Sequence, residues 1–137
     1  MGSSAGGHLA ARVSTGSDIR AYRPVDEIDQ VRCLPDFTVL LYPAYMNSGD
    51  DLKEEFTISA DLPPTLIISA EDDKKHFQSG EVYAEALEDA GASIRTHFFK
   101  KGGHGFDMNT QKDPLSTWPD LFGQWLQDIG ILKKEAE

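Results

Sequence analysis

The sequence has few of the features that point to a membrane, a nucleic acid or a disulfide framework. Its longest apolar stretch, 39–45, is broken by Pro43 and is far shorter than the roughly 20 residues of a membrane-spanning helix. The single cysteine, Cys33, cannot form an intramolecular disulfide. Thirteen basic against 23 acidic side chains give a formal net charge of -10, a field that repels phosphate backbones and anionic lipids. We therefore expect neither a nucleic-acid nor a membrane partner.

The N-terminal residues do not show the pattern typical of a secretory signal peptide. No basic segment followed by an apolar one stands at the N-terminus, so the cytoplasm is the default expectation for the compartment. The 137 residues fit one domain, 1–137, and the 39% hydrophobic and 26% charged residues are typical of a globular protein.

Strand and helix signals alternate along the chain. Runs of apolar, β-branched and aromatic residues predict buried strands at 35–45, 65–70 and 94–99. Helical spacing begins at His8, recurs over 80–90, and returns after Asp113 and Pro114, a cap residue followed by a first-turn proline. Parallel strands need crossover connections that can hold a helix. The pattern therefore predicts an α/β fold of three layers, with a mostly parallel sheet flanked by helices.

One segment interrupts this alternation. Residues 46–64 are polar and acidic and connect the first two predicted strands. Long connections of this kind run over the surface and often carry function. We expect a surface excursion there and regard it as a candidate lid.

Ser4 is at the centre of Gly-Ser-Ser-Ala-Gly, the Gly-x-Ser-x-Gly spacing of a nucleophile elbow. Small residues two positions to either side let the chain turn sharply from strand to helix and expose the serine hydroxyl. The same residues are also compatible with a flexible Gly/Ser tail. The helical pattern that follows from His8 favours the elbow, because an elbow leads directly into a helix.

Two further candidate groups follow predicted strands. Asp72 and Asp73 come where the strand 65–70 ends, and in open α/β sheets the loops after the strands build the site. A carboxylate there can orient a histidine, although acidic pairs are also common in solvated turns. His104 follows the third strand between two glycines, on a loop that can bring a general base close to other loops. Serine, aspartate, histidine is the chain order of α/β-hydrolase triads.

These segments resemble landmarks of the esterase/lipase branch of the α/β-hydrolase superfamily, in particular its acetyl xylan esterase and feruloyl esterase-like members. The resemblance covers nearly the whole chain and is carried by four stretches: GSSAGGHLAARV, PDFTVLLYPAY, PPTLIISAEDD and FFKKGGHGF. It implies that Ser4 is the nucleophile, His104 the general base and Asp73, rather than Asp72, the acid. The implied reaction is two-step acyl transfer through a serine acyl-enzyme, without a metal or organic cofactor.

The resemblance is to the C-terminal half of such an esterase. In the family, a central strand leads into the elbow and a glycine-rich oxyanion loop comes earlier, whereas three residues precede Ser4 here. The backbone N–H of Ala5 supplies one oxyanion donor, and the second has no counterpart. Because chain termini fray, we expect weak or no hydrolysis of p-nitrophenyl acetate by the isolated chain. An unpaired apolar sheet edge also predicts self-association, most simply as a dimer.

Other side chains are candidates for the substrate pocket or a metal site. Three leave the first predicted strand near the presumed site and are expected to line an acyl or sugar pocket: Tyr42, Tyr45 and Met46. His8, His76 and His97 lack ligand-like spacing, so the sequence predicts no metal site. In the family, proline and small apolar residues follow the aspartate, whereas here the chain continues with Lys74, Lys75 and His76.

The sequence thus predicts a serine esterase that acts on small carboxylic esters, such as acetyl groups on carbohydrates. The alternative is a catalytically silent relative of the α/β-hydrolases, whose exposed sheet edge would make it an oligomerising or interaction subunit.

Overall fold

A parallel sheet of four strands organises the molecule, whose computed structural model describes residues 1–16, 20–106 and 114–133. The strands of this sheet are Gly2–Ser3 (β1), Thr38–Leu41 (β2), Thr65–Ala70 (β5) and Ile94–Phe99 (β6). A separate antiparallel hairpin consists of Asn47–Ser48 (β3) and Asp51–Leu52 (β4). The helices are Ala5–Thr15 (α1), Phe77–Asp89 (α2) and Trp118–Asp128 (α3). The order in the large sheet is β1-β2-β5-β6.

The extent of strand pairing increases across this sheet. β1 pairs with β2 at two positions, β2 with β5 at four and β5 with β6 at six, all in parallel. The predicted strands 65–70 and 94–99 are confirmed. The first predicted strand, 35–45, is shorter than expected and forms only over Thr38–Leu41, where it is bounded by prolines that cannot donate ladder hydrogen bonds.

Alternating side chains of the central strands build two cores on opposite faces of the sheet. Leu40 and Ile67 pack under α1 and α2 together with Leu87. Their neighbours Val39 and Ile68 point the other way, as the period of two in a strand requires, and pack under α3. The predicted three-layer α/β architecture is therefore confirmed.

The helices differ from the prediction mainly at their starts. α2 begins at Phe77, three residues before the predicted start of 80–90, because hydrogen bonds from the backbone of His76 to Asp73 already organise its first turn. Asp113, the predicted cap of the last helix, lies outside the described residues. A 3-10 turn over Pro114–Thr117 precedes α3, which begins at Trp118. No helix in the described ranges is long and apolar enough to cross a membrane.

The candidate lid is attached to the body of the domain. Within 46–64 lies the β3–β4 hairpin, and Met46 and Phe56 on either side of it are buried in the core under α1 and α2. Glu55 contacts both His8, at 2.8 Å, and Arg12 of α1. The expected surface excursion is thus a short sheet with buried anchors, and its action as a lid stays a prediction.

The outer edge of β1 combines weak pairing with apolar exposure. A strand before Ser4, expected to be missing, is present as the two residues of β1, where Gly2 lies opposite Leu40. Beside it, Met1 is 70% exposed, and Leu9 and Val13 on α1 are 64% and 49% exposed. A cavity of about 290 Å³ opens between these residues and the segment before β2.

Candidate active site

Ser4 occupies a strained turn between β1 and α1. Its backbone has φ 50° and ψ -122°, a conformation that non-glycine residues rarely adopt and that costs about 1–3 kcal/mol. Hydrogen bonds to the chain around the end of β2 hold it there, since the Ser4 N–H donates to the Leu41 carbonyl at 2.9 Å. The Ser4 carbonyl accepts from Gly7 at 3.0 Å and Ala44 at 3.2 Å. The elbow geometry suggested by the glycine spacing is therefore present, and the flexible-tail alternative does not describe this segment.

The two glycines of the Gly-x-Ser-x-Gly spacing have different steric roles. A Cβ atom on Gly2 would lie 2.0 Å from the carbonyl oxygen of Gly6, a distance that forces the backbone to move. A Cβ atom on Gly6 would meet nothing within 4 Å. The close approach of strand to helix therefore requires glycine at position 2, whereas position 6 is sterically open.

A chain of hydrogen bonds joins the three predicted catalytic side chains. Ser4 Oγ lies 2.7 Å from His104 Nε2, and His104 Nδ1 lies 2.6 Å from Asp73 Oδ2. Because an ionised carboxylate can only accept, Nδ1 carries the proton toward Asp73, and Nε2 of the neutral ring accepts from the serine hydroxyl. This is the hydrogen-bonding pattern of a nucleophile, a general base and an orienting acid.

The two aspartates after β5 hold different parts of this arrangement. Asp73 is buried, and its second carboxylate oxygen accepts from the backbone N–H of His76 at 3.2 Å. Asp72 instead accepts from the backbone N–H of Gly103 at 2.8 Å, which fixes the loop next to His104. The prediction that Asp73 lies nearer the imidazole than Asp72, on an adjacent loop at the same end of the sheet, is confirmed.

Backbone conformation and aromatic packing fix the loop of His104. Gly103 has φ +62°, in the left-handed region that favours glycine. Two residues after the histidine, Phe106 is buried in the core under α3. The Tyr42 ring packs edge-to-face on both Phe106 and His104, with centroids 4.6 and 5.0 Å apart. His104 is therefore positioned by contacts at its backbone, its ring face and its Nδ1 atom.

The predicted oxyanion donor lies directly after the serine. Ala5 is the first residue of α1 and is exposed, and the first amides of a helix have no acceptor within it. The partial positive charge at a helix N-terminus favours negative charge nearby. Its amide is thus available to an oxyanion formed on a substrate attached to Ser4.

The three predicted pocket residues take up three different positions. Tyr42 packs against the base, as described above. Tyr45 is 52% exposed and lies edge-to-face on His76, with ring centroids 5.2 Å apart. Met46 is fully buried in the core under α1 and α2, so its expected place in a substrate pocket is wrong. The chain turns inward after Tyr45, and the Met46 amide donates to the buried Ser79 hydroxyl at 3.3 Å.

His76 is the site residue that the sequence reasoning missed. Its ring centroid lies 4.6 Å from that of His104. Burial and the nearby charge of His104 lower the pKa of His76, with a smaller contribution from Lys75 and an opposing one from Asp73. Its place three residues after Asp73, at the end of a parallel strand, was the signal that could have identified it. Within the described residues, no group of three or more His, Cys, Asp or Glu side chains could hold a metal ion.

Comparisons with known proteins find similarity in sequence and fold to esterases. No protein-family model matches the chain. A curated relative, the acetylxylan esterase of Xylanibacter ruminicola, is 28% identical in an alignment 162 positions long, gaps included, that covers 99% of this chain and 31% of the relative.

Solved structures with the same fold include hydrolases from two bacteria. The acetyl ester-xyloside bifunctional hydrolase of Caldicellulosiruptor lactoaceticus superposes with a TM-score of 0.79 at 26% identity, covering 94% of this chain and 55% of that one. Esterase 2 of Thermogutta terrifontis with bound propionate gives a TM-score of 0.78 at 24% identity, covering 98% and 57%. The same esterase phosphonylated by cyclosarin gives 0.75 at 25% identity, covering 98% and 55%. The chain therefore spans about a third of the curated relative and somewhat more than half of each solved structure.

Proposed function

We propose, for a chain that has the α/β-hydrolase fold and resembles about half of an esterase, that it hydrolyses small carboxylic esters through a serine acyl-enzyme. The observation that carries this proposal is the hydrogen-bonded series Ser4–His104–Asp73, with the serine on a strained turn between strand and helix. Its members come from the ends of three parallel strands, where open α/β sheets build their sites.

The acylation step follows from the tautomer of His104. Ser4 Oγ attacks the ester carbonyl carbon while its proton passes to His104 Nε2, and Asp73 stabilises the imidazolium that forms. The carbonyl oxygen becomes an oxyanion next to the Ala5 amide. The C–O bond to the alcohol then breaks, and His104 Nε2–H protonates the departing oxygen.

Deacylation repeats these transfers with water. His104 Nε2 removes a proton from a water molecule, whose oxygen attacks the acyl carbon. When the second tetrahedral intermediate collapses, the bond to Ser4 Oγ breaks and the serine takes the proton back from His104. The products are a carboxylic acid and an alcohol, and the three side chains return to their initial state.

The substrate proposed is a small acyl ester, in particular an acetyl ester of a carbohydrate. The similar proteins that support this substrate include an acetylxylan esterase, an acetyl ester-xyloside bifunctional hydrolase, and an esterase whose structure contains bound propionate. The exposed Tyr45 beside the site, and the Tyr42 ring against the base, are the side chains proposed to contact it.

A fluorophosphonate probe tests the nucleophile directly. Ser4 is expected to be the only labelled residue when the adduct is mapped by mass spectrometry, and Ser4→Ala is expected to abolish labelling. Ser69 and Ser79 serve as internal controls because both are buried, with side chains at most 2% exposed. Labelling of either, or of no serine while the fold is intact by circular dichroism, would overturn the proposal.

Catalytic turnover by the isolated chain is expected to be weak even if Ser4 is acylated. Loss of one oxyanion-hole donor slows esterases and proteases by roughly 10² to 10³, and only the Ala5 amide is assigned here. Hydrolysis of p-nitrophenyl acetate should therefore be slow and should rise when the remaining half of a related esterase is added in trans. Fast turnover by the chain alone, abolished by Ser4→Ala, would show that it completes its own oxyanion site.

A second candidate function is that of a catalytically silent subunit that self-associates. The observation that favours it is the exposed apolar edge formed by Met1, Leu9 and Val13 beside the two-residue strand β1. We propose that a second copy of this chain binds to this exposed edge. The net charge of -10 opposes such pairing only weakly, because the Debye length is about 8 Å at physiological salt. Sedimentation at micromolar concentration tests this, and a stable monomer without Ser4 labelling would exclude both functions.

A further inference from the structure

The side of the site next to His104 is lined by two aromatic side chains that carry polar atoms, Tyr45 and His76. Tyr45 and His76 pack edge-to-face, and His76 packs in turn on His104. Within the described part of the chain, no hydrogen bond or ion pair involves the His76 ring nitrogens or the Tyr45 hydroxyl. His76 is half-buried and Tyr45 is 52% exposed, so the pair presents polar atoms to solvent at the mouth of the site.

The direction of proton transfer identifies which part of an ester this pair would meet. The acyl oxygen faces the amide of Ala5, at the start of α1. The alcohol oxygen must lie within hydrogen-bond reach of His104 Nε2, because that atom protonates it. A group packed on the ring of His104, 4.6 Å away, is therefore next to the departing alcohol. We propose that Tyr45 and His76 form the alcohol subsite and select polyhydroxylated ring alcohols, an inference that rests on the esterase function proposed above.

The chemistry of the two side chains fits that class of ligand. An aromatic face packs against the apolar C–H face of a sugar ring, and an aromatic side chain with a polar tip combines this contact with hydrogen bonding. A neutral imidazole has one donor and one acceptor, and so matches a hydroxyl group, which also donates and accepts. A primary alkyl alcohol offers neither the ring face nor the additional hydroxyls.

Burial favours the form of His76 that suits this role. Burial and the nearby charge of His104 lower the pKa of His76, Asp73 opposes them, and Lys75 adds a smaller lowering effect. A neutral His76 also leaves the imidazolium of His104 unopposed during catalysis. Tyr45 contributes a hydroxyl group, which can donate and accept, to the same surface. The lowered pKa of His76 favours its neutral form, which suits a neutral sugar.

Binding of an alcohol alone tests the subsite without any need for turnover. Methyl β-xyloside, titrated into the whole chain, is expected to cause saturable shifts of the His104 and His76 ring signals in NMR spectra at millimolar concentration, and the His104 signal remains available in His76 variants. Tyr45→Ala should weaken this binding about tenfold, the loss expected for one aromatic contact with its hydrogen bond. The matched control is Tyr22→Ala, since Tyr22 is 55% exposed but lies on the segment between α1 and β2. It should bind as the wild type does.

His76→Phe separates the polar role from packing. It keeps an aromatic ring beside His104 but has no ring nitrogen, so xyloside binding should fall, whereas Tyr22→Ala, outside the site, should bind xyloside and react with the fluorophosphonate at Ser4 as the wild type does. Xyloside binding that is absent from the wild type, or that survives both Tyr45→Ala and His76→Phe, overturns the alcohol subsite. If the fluorophosphonate does not label Ser4 in the wild type, the esterase proposal is overturned instead, so the two failures are distinguishable.

Discussion

The fold holds the proposed nucleophile, Ser4, much less firmly than its proposed acid–base partners, Asp73 and His104. Asp73 and His104 follow β5 and β6, which pair with each other at six positions. Ser4 follows β1, which pairs with β2 at only two positions and has an apolar surface open to solvent beside it. Asp73 is buried, whereas α1 next to Ser4 exposes Leu9 and Val13. One part of the site is thus built on the core and the other on the sheet edge.

Because of this difference, we expect substitutions on the two sides of the site to have different effects. Substitutions around Asp73 and His104 should change the reaction while leaving the fold intact, because strand pairing there is extensive. Substitutions around Ser4 should act through the position of β1 and α1.

The largest effect is expected for the orienting carboxylate. Asp73→Asn should slow fluorophosphonate labelling of Ser4 by about 10⁴, the loss seen when an amide stabilises the wrong imidazole tautomer. Asp72→Asn is the matched control, because Asp72 bonds the Gly103 amide rather than the ring and an asparagine carbonyl can still accept there. Its labelling rate should fall by less than about tenfold. Equal rates for the two variants would contradict the assignment of Asp73.

A smaller but still clear effect is expected at the elbow. Gly2→Ala places a methyl group against the Gly6 carbonyl, and relief of that overlap should displace β1 at a cost of about 1–3 kcal/mol. Labelling of Ser4 should fall at least about tenfold as a result. Gly6→Ala has free space, lies in α1, and should stabilise the helix by about 0.5–1 kcal/mol. Comparable losses in both variants would show that the spacing matters for a reason other than the close approach at Gly2.

The exposed edge should affect assembly more than folding. Leu9→Glu is a surface substitution, and its effect on the free energy of unfolding should stay within about 0.5 kcal/mol. It should shift any dimer seen by sedimentation toward monomer, because it buries a charge in the proposed contact. Ile131→Glu, at an exposed apolar position after α3, is the control and should leave the oligomeric state unchanged. An unaltered dimer in Leu9→Glu would place the interface elsewhere.

The smallest effect is expected for Glu55, whose side chain links the 46–64 segment to α1. A hydrogen bond from His8, with the nearby charges of His8, Arg12 and Lys53, lowers the pKa of Glu55 against the opposing effect of burial. A lowered carboxylate pKa means that the contact stabilises the fold above the ordinary glutamate pKa of about 4.3 and that this contribution is lost as the pH falls through the folded-state value. Glu55→Gln should therefore reduce the urea midpoint slightly at pH 7 and progressively less below pH 4. A difference that is independent of pH would show that the carboxylate charge is not involved.

Sequence patterns predicted those features that depend on local chemistry. Apolar runs located β5 and β6, and the glycine spacing around Ser4 and the position of His104 after a strand located the site. The burial of Met46 could not be read from the chain, because it depends on packing against core residues that are distant in sequence, such as Ala11 and Leu87. His76 was missed for a related reason, since its contact with His104 exists only once two loops meet.

The central claim is that Ser4, His104 and Asp73 are linked by hydrogen bonds in this chain, and the protonation state of His104 tests it most directly. Nitrogen-15 NMR of the neutral histidine rings distinguishes a protonated Nδ1 from a protonated Nε2. The structure requires the proton on Nδ1, donated to Asp73, with Nε2 free to accept from Ser4. Asp73→Asn should shift the proton toward Nε2. A wild-type ring that carries its proton mainly on Nε2, or that exchanges between the two tautomers, would contradict the account.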